Sequence, residues 1–146
     1  DKMSQETIAV GADHGGYEMK QKLTLQLRDM GFAVLDFGTD SADSVDYPDF
    51  AELVVKAIEG GEANRGILVC GSGIGMSIAA NRHKGIRAAL CVDKVSAELA
   101  RQHNDANILV LGERLTEISI AKQCVKKFFS TEFEGGRHER RVKKLG

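Results

Sequence analysis

Cys70-Gly71-Ser72-Gly73-Ile74-Gly75 places a thiol and a hydroxyl inside a loop with a glycine at every second position from Gly71. Such a loop lets backbone N–H groups turn inward and lets a ligand approach closely. An apolar run, Gly66-Ile67-Leu68-Val69, precedes it and has the character of a buried strand. Met76-Ser77-Ile78-Ala79-Ala80-Asn81 follows as the start of a helix, whose N-terminus adds positive potential and free N–H donors. A sulfur and a hydroxyl at such a place suit chemistry on a substrate that develops negative charge. The plain alternative is a tight strand-to-helix turn with a small buried thiol, since free cysteines are usually structural.

Three further segments carry side chains capable of chemistry. Asp13-His14-Gly15-Gly16 is a second glycine-supported polar turn. It serves equally well as a helix cap, with Asp13 or His14 satisfying free N–H groups. Arg101-Gln102-His103-Asn104-Asp105 ends a helix, where a histidine is favoured by the helix dipole whether or not it has another task. The C-terminal run Glu134-Gly135-Gly136-Arg137-His138-Glu139-Arg140-Arg141 has the composition of a solvated tail. Arginines at this density can also clamp a phosphate through paired hydrogen bonds.

The elements that must position these groups follow from apolar spacing. Strands are expected at Thr7–Gly11, Ala33–Phe37, Gly66–Val69, Ile86–Val92 and Ile108–Leu111. Tyr17–Met30 carries Met19, Leu23 and Leu27 on one helical face, and Gly31 closes it. Asp49–Glu59 carries Phe50, Leu53, Val54, Ala57 and Ile58 on one face, and Gly60-Gly61 ends it. Val95–His103 and Ile118–Phe129 complete the helices, and Gly38–Pro48 is a polar loop. Apolar strands alternating with helices imply a parallel sheet covered on both faces. The expected fold is an α/β three-layer α/β/α sandwich around a five-stranded parallel sheet, Rossmann-like, in one domain spanning 1–146. Ligands of such sheets sit beyond the carboxyl ends of the strands. Asp13, His14, Asp46, Tyr47, Cys70, Ser72 and Arg114 all fall there.

Composition narrows the function class. A chain of 146 residues with a net charge of −1 has no global basic field, which argues against nucleic acid. No apolar run is long enough to span a membrane. Asp1 to Glu6 lacks a signal-peptide pattern, and Met3 has the character of a natural first residue. Cys70, Cys91 and Cys124 show no metal-type pairing, and their odd number argues against a disulfide framework. The expected location is the cytoplasm.

Taken in order, the segments resemble the RpiB-type ribose-5-phosphate isomerases, part of the sugar-phosphate isomerase family that includes galactose-6-phosphate isomerase subunits. The matching pieces are GADHGG at Gly11–Gly16, DYPDFA at Asp46–Ala51, GILVCGSGIGMSIAANRHKGIRAAL at Gly66–Leu90, SAELARQHNDANILVLGER at Ser96–Arg114 and FEGGRHERRV at Phe133–Val142. They span nearly the whole chain.

The resemblance implies interconversion of ribose 5-phosphate and ribulose 5-phosphate, a step of the pentose phosphate pathway, without a metal or other cofactor. It assigns Cys70 as the base that moves a proton between C1 and C2. Some relatives have Gly where Cys70 stands and Glu where Met76 stands, so this chain resembles the cysteine type. Ser72 stands where Thr is frequent and would assist proton movement between O1 and O2. The backbone of Gly71, Gly73, Ile74 and Gly75 would hold the enediolate oxygen, in keeping with an anion-binding loop. His103 and Asp13 would open the furanose ring, a task suited to histidine near neutral pH. Tyr47 and Asn104 would contact sugar hydroxyls. His14, Arg114, Arg137 and Arg141 are the expected phosphate ligands, with His138 beside them. The resemblance also implies a homodimer or a dimer of dimers with active sites shared between subunits.

Two rival readings remain at this level. One is an isomerase of a six-carbon phosphate such as allose or galactose 6-phosphate, using the same proton transfer. The other is a non-enzymatic flavodoxin-like binding module, which explains the fold but leaves Cys70, His103 and Asp13 without a task. A cysteine phosphatase would need an arginine near Met76, which closes that route.

Overall fold

A computed structural model describes residues 5–146. The reading of Met3 as a natural start lies outside the described residues. The strands are β1 (Thr7–Ala12), β2 (Ala33–Asp36), β3 (Arg65–Cys70), β4 (Ala88–Leu90) and β5 (Ile108–Gly112). The helices are α1 (Tyr17–Asp29), α2 (Tyr47–Glu59), α3 (Ile74–Ala80), α4 (Lys94–Asn104), α5 (Ile118–Ser130) and α6 (Arg137–Lys143), and a 3₁₀ turn covers His14–Gly16. All strand pairs are parallel, in the spatial order β2-β1-β3-β5-β4. This is the expected five-stranded α/β/α arrangement.

Residue alternation along the strands builds the two layers. Ile8, Val10, Ile67, Val69, Leu109 and Leu111 face one side, against α1, α4 and α5. Ala9, Leu68, Cys70, Ile108 and Val110 face the other, against α2 and α3. Met19, Leu23 and Leu27 are buried as expected from their spacing. On α2 the buried set is Ala51, Val54, Val55 and Ala57, whereas Leu53 is 41% exposed. The expected α2 stripe was therefore rotated, because Ala51 and Val55 are small enough to meet the sheet directly.

Three boundaries differ in instructive ways. The second helix begins at Tyr47 rather than Asp49, with Pro48 in its first turn. Proline is tolerated there because the missing N–H has no intrahelical partner anyway. The fourth strand is confined to Ala88–Leu90 rather than Ile86–Val92. At its amino end Asn107 Oδ1 accepts from Arg87 N–H, and along its free outer edge Asn81 bonds both the N–H and the carbonyl of Ala88. The C-terminal tail folds as α6, which places Arg137 and Arg141 one turn apart on a helix. Among the described residues no helix is long and apolar enough to cross a membrane.

Candidate active site

The direction in which strands are added to the sheet reverses between β1 and β3. The chain leaves β1 towards β2 on one side and resumes at β3 on the other. Loops after these strands diverge at such a point and open a crevice at the carboxyl edge of the sheet. Asp13-His14 follows β1 and the glycine loop follows β3, so both polar turns border this crevice. They touch: a Cβ on Gly15 would lie 3.1 Å from the Gly71 nitrogen. The Asp13 carboxylate accepts from Gly15 N–H at 2.9 Å, so it does act as a cap, while Asp13 itself is only 7% exposed. His14 Nδ1 accepts from Val45 N–H at 3.1 Å, which ties the β2–α2 loop to the site.

Cys70 is the last residue of β3 and is buried. Its Sγ accepts from Gly73 N–H at 3.1 Å, and Ser72 Oγ accepts from Ile74 N–H at 3.1 Å. Two of the loop's amides are thus already committed to the thiol and hydroxyl. Gly75 and Met76, in the first turn of α3, carry N–H groups that have no acceptor within the helix. Gly73 adopts φ +81°, and a Cβ there would strike Leu90 at 2.5 Å, so glycine is required. A Cβ on Gly75 would lie 2.7 Å from the Tyr47 ring, which therefore rests on the start of α3. The Arg114 guanidinium lies beside Gly71, 3.4 Å from where its Cβ would stand, and Arg114 N–H donates to the Gly71 carbonyl at 2.9 Å. Cys70, Ser72, Asp13, His14, Tyr47, Gly71, Gly73, Ile74, Gly75 and Arg114 thus occupy one neighbourhood.

The other four candidates do not join them. Helix α4 starts after the carboxyl end of β4 and ends just before β5 begins, so its last turn, with His103 and Asn104, lies at the amino edge of the sheet. Helix α6 is at the same edge: Gly146 packs on Lys84, which precedes β4, and Glu134 N–H donates to the Gln102 carbonyl. A strand of six residues such as β3 separates the two edges by roughly 16 Å. Asn104 borders a cleft of about 400 Å³ shared with Asn81, Arg87 and Leu145, away from the glycine loop.

Glu134 escaped the sequence reading. Its carboxylate lies 4.0 Å from His103 Nε2 and 3.5 Å from His138 Nε2. The two imidazoles stack, with centroids 4.3 Å apart and planes 14° from parallel. Loss of hydration, the neighbouring His103 and the positive Arg137 and Arg141 hold the His138 imidazole below the usual histidine value, against the pull of Glu134. Burial pushes the other two thiols up, Cys91 to about 11 and Cys124 to about 12.

Comparisons with known proteins agree along the whole length. A family model described as Ribose/Galactose Isomerase matches residues 8–145. Ribose-5-phosphate isomerase B of Escherichia coli is 45% identical over 138 residues, covering 94% of this chain and 93% of its own. The structure of a ribose 5-phosphate isomerase from Thermotoga maritima superposes with a TM-score of 0.93 at 54% identity, covering 96% of this chain and 97% of that one. That of Clostridium thermocellum ribose-5-phosphate isomerase B gives 0.94 at 49% identity, covering 96% and 95%. With its glycine loop, thiol and strand-end polar groups arranged on the same fold as these enzymes, the chain belongs to the ribose/galactose isomerase family.

Proposed function

We propose that this protein interconverts ribose 5-phosphate and ribulose 5-phosphate through an enediolate, with Cys70 as the base. The observation that carries this reading is the position of Cys70: a thiol at the carboxyl end of a central strand, held by Gly73 N–H and bordered by the Asp13-His14 turn, Tyr47 and Arg114. In the forward direction the Cys70 thiolate takes the proton from C2 of the open aldose. The electron pair forms the C1–C2 double bond, and charge moves onto O1. The first-turn N–H groups of α3 lie where they can meet that charge. Ser72 passes a proton from O2 to O1, and Cys70 returns its proton to C1, leaving the ketone at C2. No group is consumed.

His103 and Asp13 open the furanose beforehand, Tyr47 and Asn104 hold sugar hydroxyls, and His14, Arg114, Arg137 and Arg141 hold the phosphate. Because His103, Asn104, Arg137 and Arg141 sit at the opposite edge from Cys70, the complete set forms when a second copy presents its amino edge to this chain's carboxyl edge. A two-fold arrangement does this reciprocally and creates two sites. Ile74 and Ile78 on α3, Leu90 at the end of β4 against Gly73, and Val92 just after it are exposed apolar residues. They suit burial against such a copy. We place the enzyme in the cytoplasm, since its three buried cysteines are all unpaired, and take residues 1–146 as one domain.

The test is a comparison of turnover on ribose 5-phosphate, allose 6-phosphate and galactose 6-phosphate with the wild type and Cys70→Ala. Highest kcat/KM on ribose 5-phosphate, with loss of turnover in Cys70→Ala and an unchanged melting curve, is expected. Preference for a six-carbon phosphate would move the assignment within the family. Full turnover by Cys70→Ala would remove the base.

A further inference from the structure

His103, Glu134 and His138 come from three places in the chain: the last turn of α4, the turn ahead of α6 and the first turn of α6. Each offers one donor atom, and the three atoms lie within 4.8 Å of one another. Both imidazoles present Nε2 to the same carboxylate oxygen, Glu134 Oε1. Two imidazoles and one carboxylate are a donor set suited to zinc and its neighbours, with ligand bonds of about 2.0–2.2 Å. A tetrahedral ion with such bonds needs its donors about 3.4 Å apart. The Glu134–His138 distance of 3.5 Å meets this already, while the 4.0 Å to His103 and the spread of the three donors, within 4.8 Å, must contract, which requires the stacked imidazoles, now 14° from parallel, to turn so that their Nε2 edges converge.

The backbone holding these donors is tied together. Glu134 N–H donates to the Gln102 carbonyl at 3.0 Å, next to His103, and His138 N–H donates to the Gly135 carbonyl at 3.0 Å. Contraction around an ion is therefore a side-chain movement. His138 is largely covered, at 11% exposure, whereas His103 and Glu134 are at 39% and 50%, so an ion can enter from solvent and keep a fourth position open. The nearby Arg137 and Arg141 lower cation affinity by like charge. Glu134 and an anion in the fourth position offset this.

We propose that His103, Glu134 and His138 form a binding site for a divalent transition-metal ion of the zinc class, and that filling it blocks the reaction by occupying His103 Nε2. The blocking half rests on the ring-opening role given to His103; the binding half rests only on the geometry. The site is inhibitory: it engages a catalytic imidazole and supplies nothing to the proton transfer.

The experiment titrates Zn²⁺ into chelator-stripped protein in phosphate-free buffer, by calorimetry, and Co²⁺ by visible absorption. One ion per chain is expected in the wild type and in Cys70→Ser. Glu134→Gln should weaken binding at least ten-fold and His138→Asn should abolish it. Isomerase turnover should fall over the same Zn²⁺ range, return with EDTA, and resist Zn²⁺ in Glu134→Gln. Absence of uptake below millimolar Zn²⁺, or uptake unchanged in both Glu134→Gln and His138→Asn, overturns the site. Uptake lost in Cys70→Ser reassigns the ion to the thiol and overturns it equally. Specific uptake without inhibition overturns the blocking half. If the protein proves not to be an isomerase, the calorimetry still decides the binding half.

Discussion

Cys70 and His103 lie at opposite edges of one sheet, Cys70 closing β3 at the carboxyl edge and His103 one turn short of β5 at the amino edge. No side-chain movement within one chain spans that separation, because the sheet itself lies between them. If both residues act on one substrate, they come from different subunits. A Cys70→Ala chain and a His103→Asn chain should then each be inactive and should complement when mixed and allowed to exchange. A mixed dimer holds one doubly defective site and one intact site, so random pairing of equal amounts should recover about a quarter of wild-type activity. The check is turnover of the exchanged mixture against each parent; no recovery after proven subunit exchange would place both residues in one chain's site.

The sequence made the carboxyl edge legible and concealed the amino edge. A strand, a glycine loop and a helix in direct succession place Cys70, Ser72 and Gly75 together by local geometry alone. Asp13 and Arg114 follow from the rule that ligands sit at strand ends. His103 and Arg137 were named from motifs, but a motif carries no position in space, and their distance from Cys70 emerged only from the course of α4 and α6. The shortened β4 could not be anticipated from Ile86–Val92, whose residues all suit a strand. At its amino end the Asn107 side chain takes the Arg87 N–H, a pairing that depends on remote packing. Helix α6 lacks an apolar stripe, since none of its residues is buried, and so gave no periodic signal. Glu134 was passed over because its partner His103 approaches it only through the fold.

The cysteines should behave unequally. Cys91 and Cys124 are shut in the core, and burial holds them as thiols to about 11 and about 12. At pH 8 only about one part in a thousand of Cys91 is thiolate. Iodoacetamide should therefore leave Cys91 and Cys124 untouched in the native protein, and alkylation, where it occurs, should fall on Cys70 at the strand end beside the crevice, as read by mass spectrometry of peptides. The same shifts set a pH dependence of stability. Unfolded thiols lose their protons from about pH 8.5, whereas the folded ones keep them, so the unfolded state binds fewer protons in alkali. The stability contributed by keeping these thiols protonated is present below about pH 8.5 and is lost as pH rises towards 11. Melting temperature should fall over that window, and less so in Cys91→Ala with Cys124→Ala.

Lys20 is a buried cation, at 2% exposure, whose Nζ meets both oxygens of Asp36 at 2.8 and 2.9 Å. Asp36 Oδ1 also accepts from Gly38 N–H, and Gly38 and Thr39 in turn bond the backbone of Ala12, beside Asp13. Asp36→Ala would leave the buried ammonium without its counter-charge, facing only the Gln21 side-chain oxygen at 3.1 Å and the Tyr17 ring. Removal of one member of a buried pair costs about 3–5 kcal/mol, and the third of Asp36 that reaches solvent puts this case near 3. The double variant Lys20→Met with Asp36→Leu should recover most of that loss, because both charges go together. Urea titrations of the two variants measure it; equal stability of Asp36→Ala and wild type would mean the ammonium finds water.

The substrate's orientation in the site follows from where its charges can be met. The first turn of α3 and the Arg114–Arg137–Arg141 set are both anion sites, and one substrate carries two anionic ends in the reaction: a permanent phosphate dianion and a transient enediolate. The glycine loop lacks the lysine and terminal hydroxyl that phosphate-binding loops place at the helix start, since Gly75 and Met76 stand there. Two of its amides already serve Cys70 and Ser72. The loop is thus too committed to neutralise a dianion, whereas Arg137 and Arg141, one turn apart on α6, can each donate paired bonds. Arg114 sits beside Gly71 at the carboxyl edge, where a second copy would have to bring Arg137 and Arg141 to it. Arg137→Ala should raise KM at least ten-fold with a smaller effect on kcat, and inorganic phosphate should inhibit the wild type competitively and the variant more weakly. A complex with a phosphate-bearing inhibitor decides it: phosphate seated on the amides at the start of α3, with Arg137 and Arg141 turned to solvent, would reverse the substrate in the site.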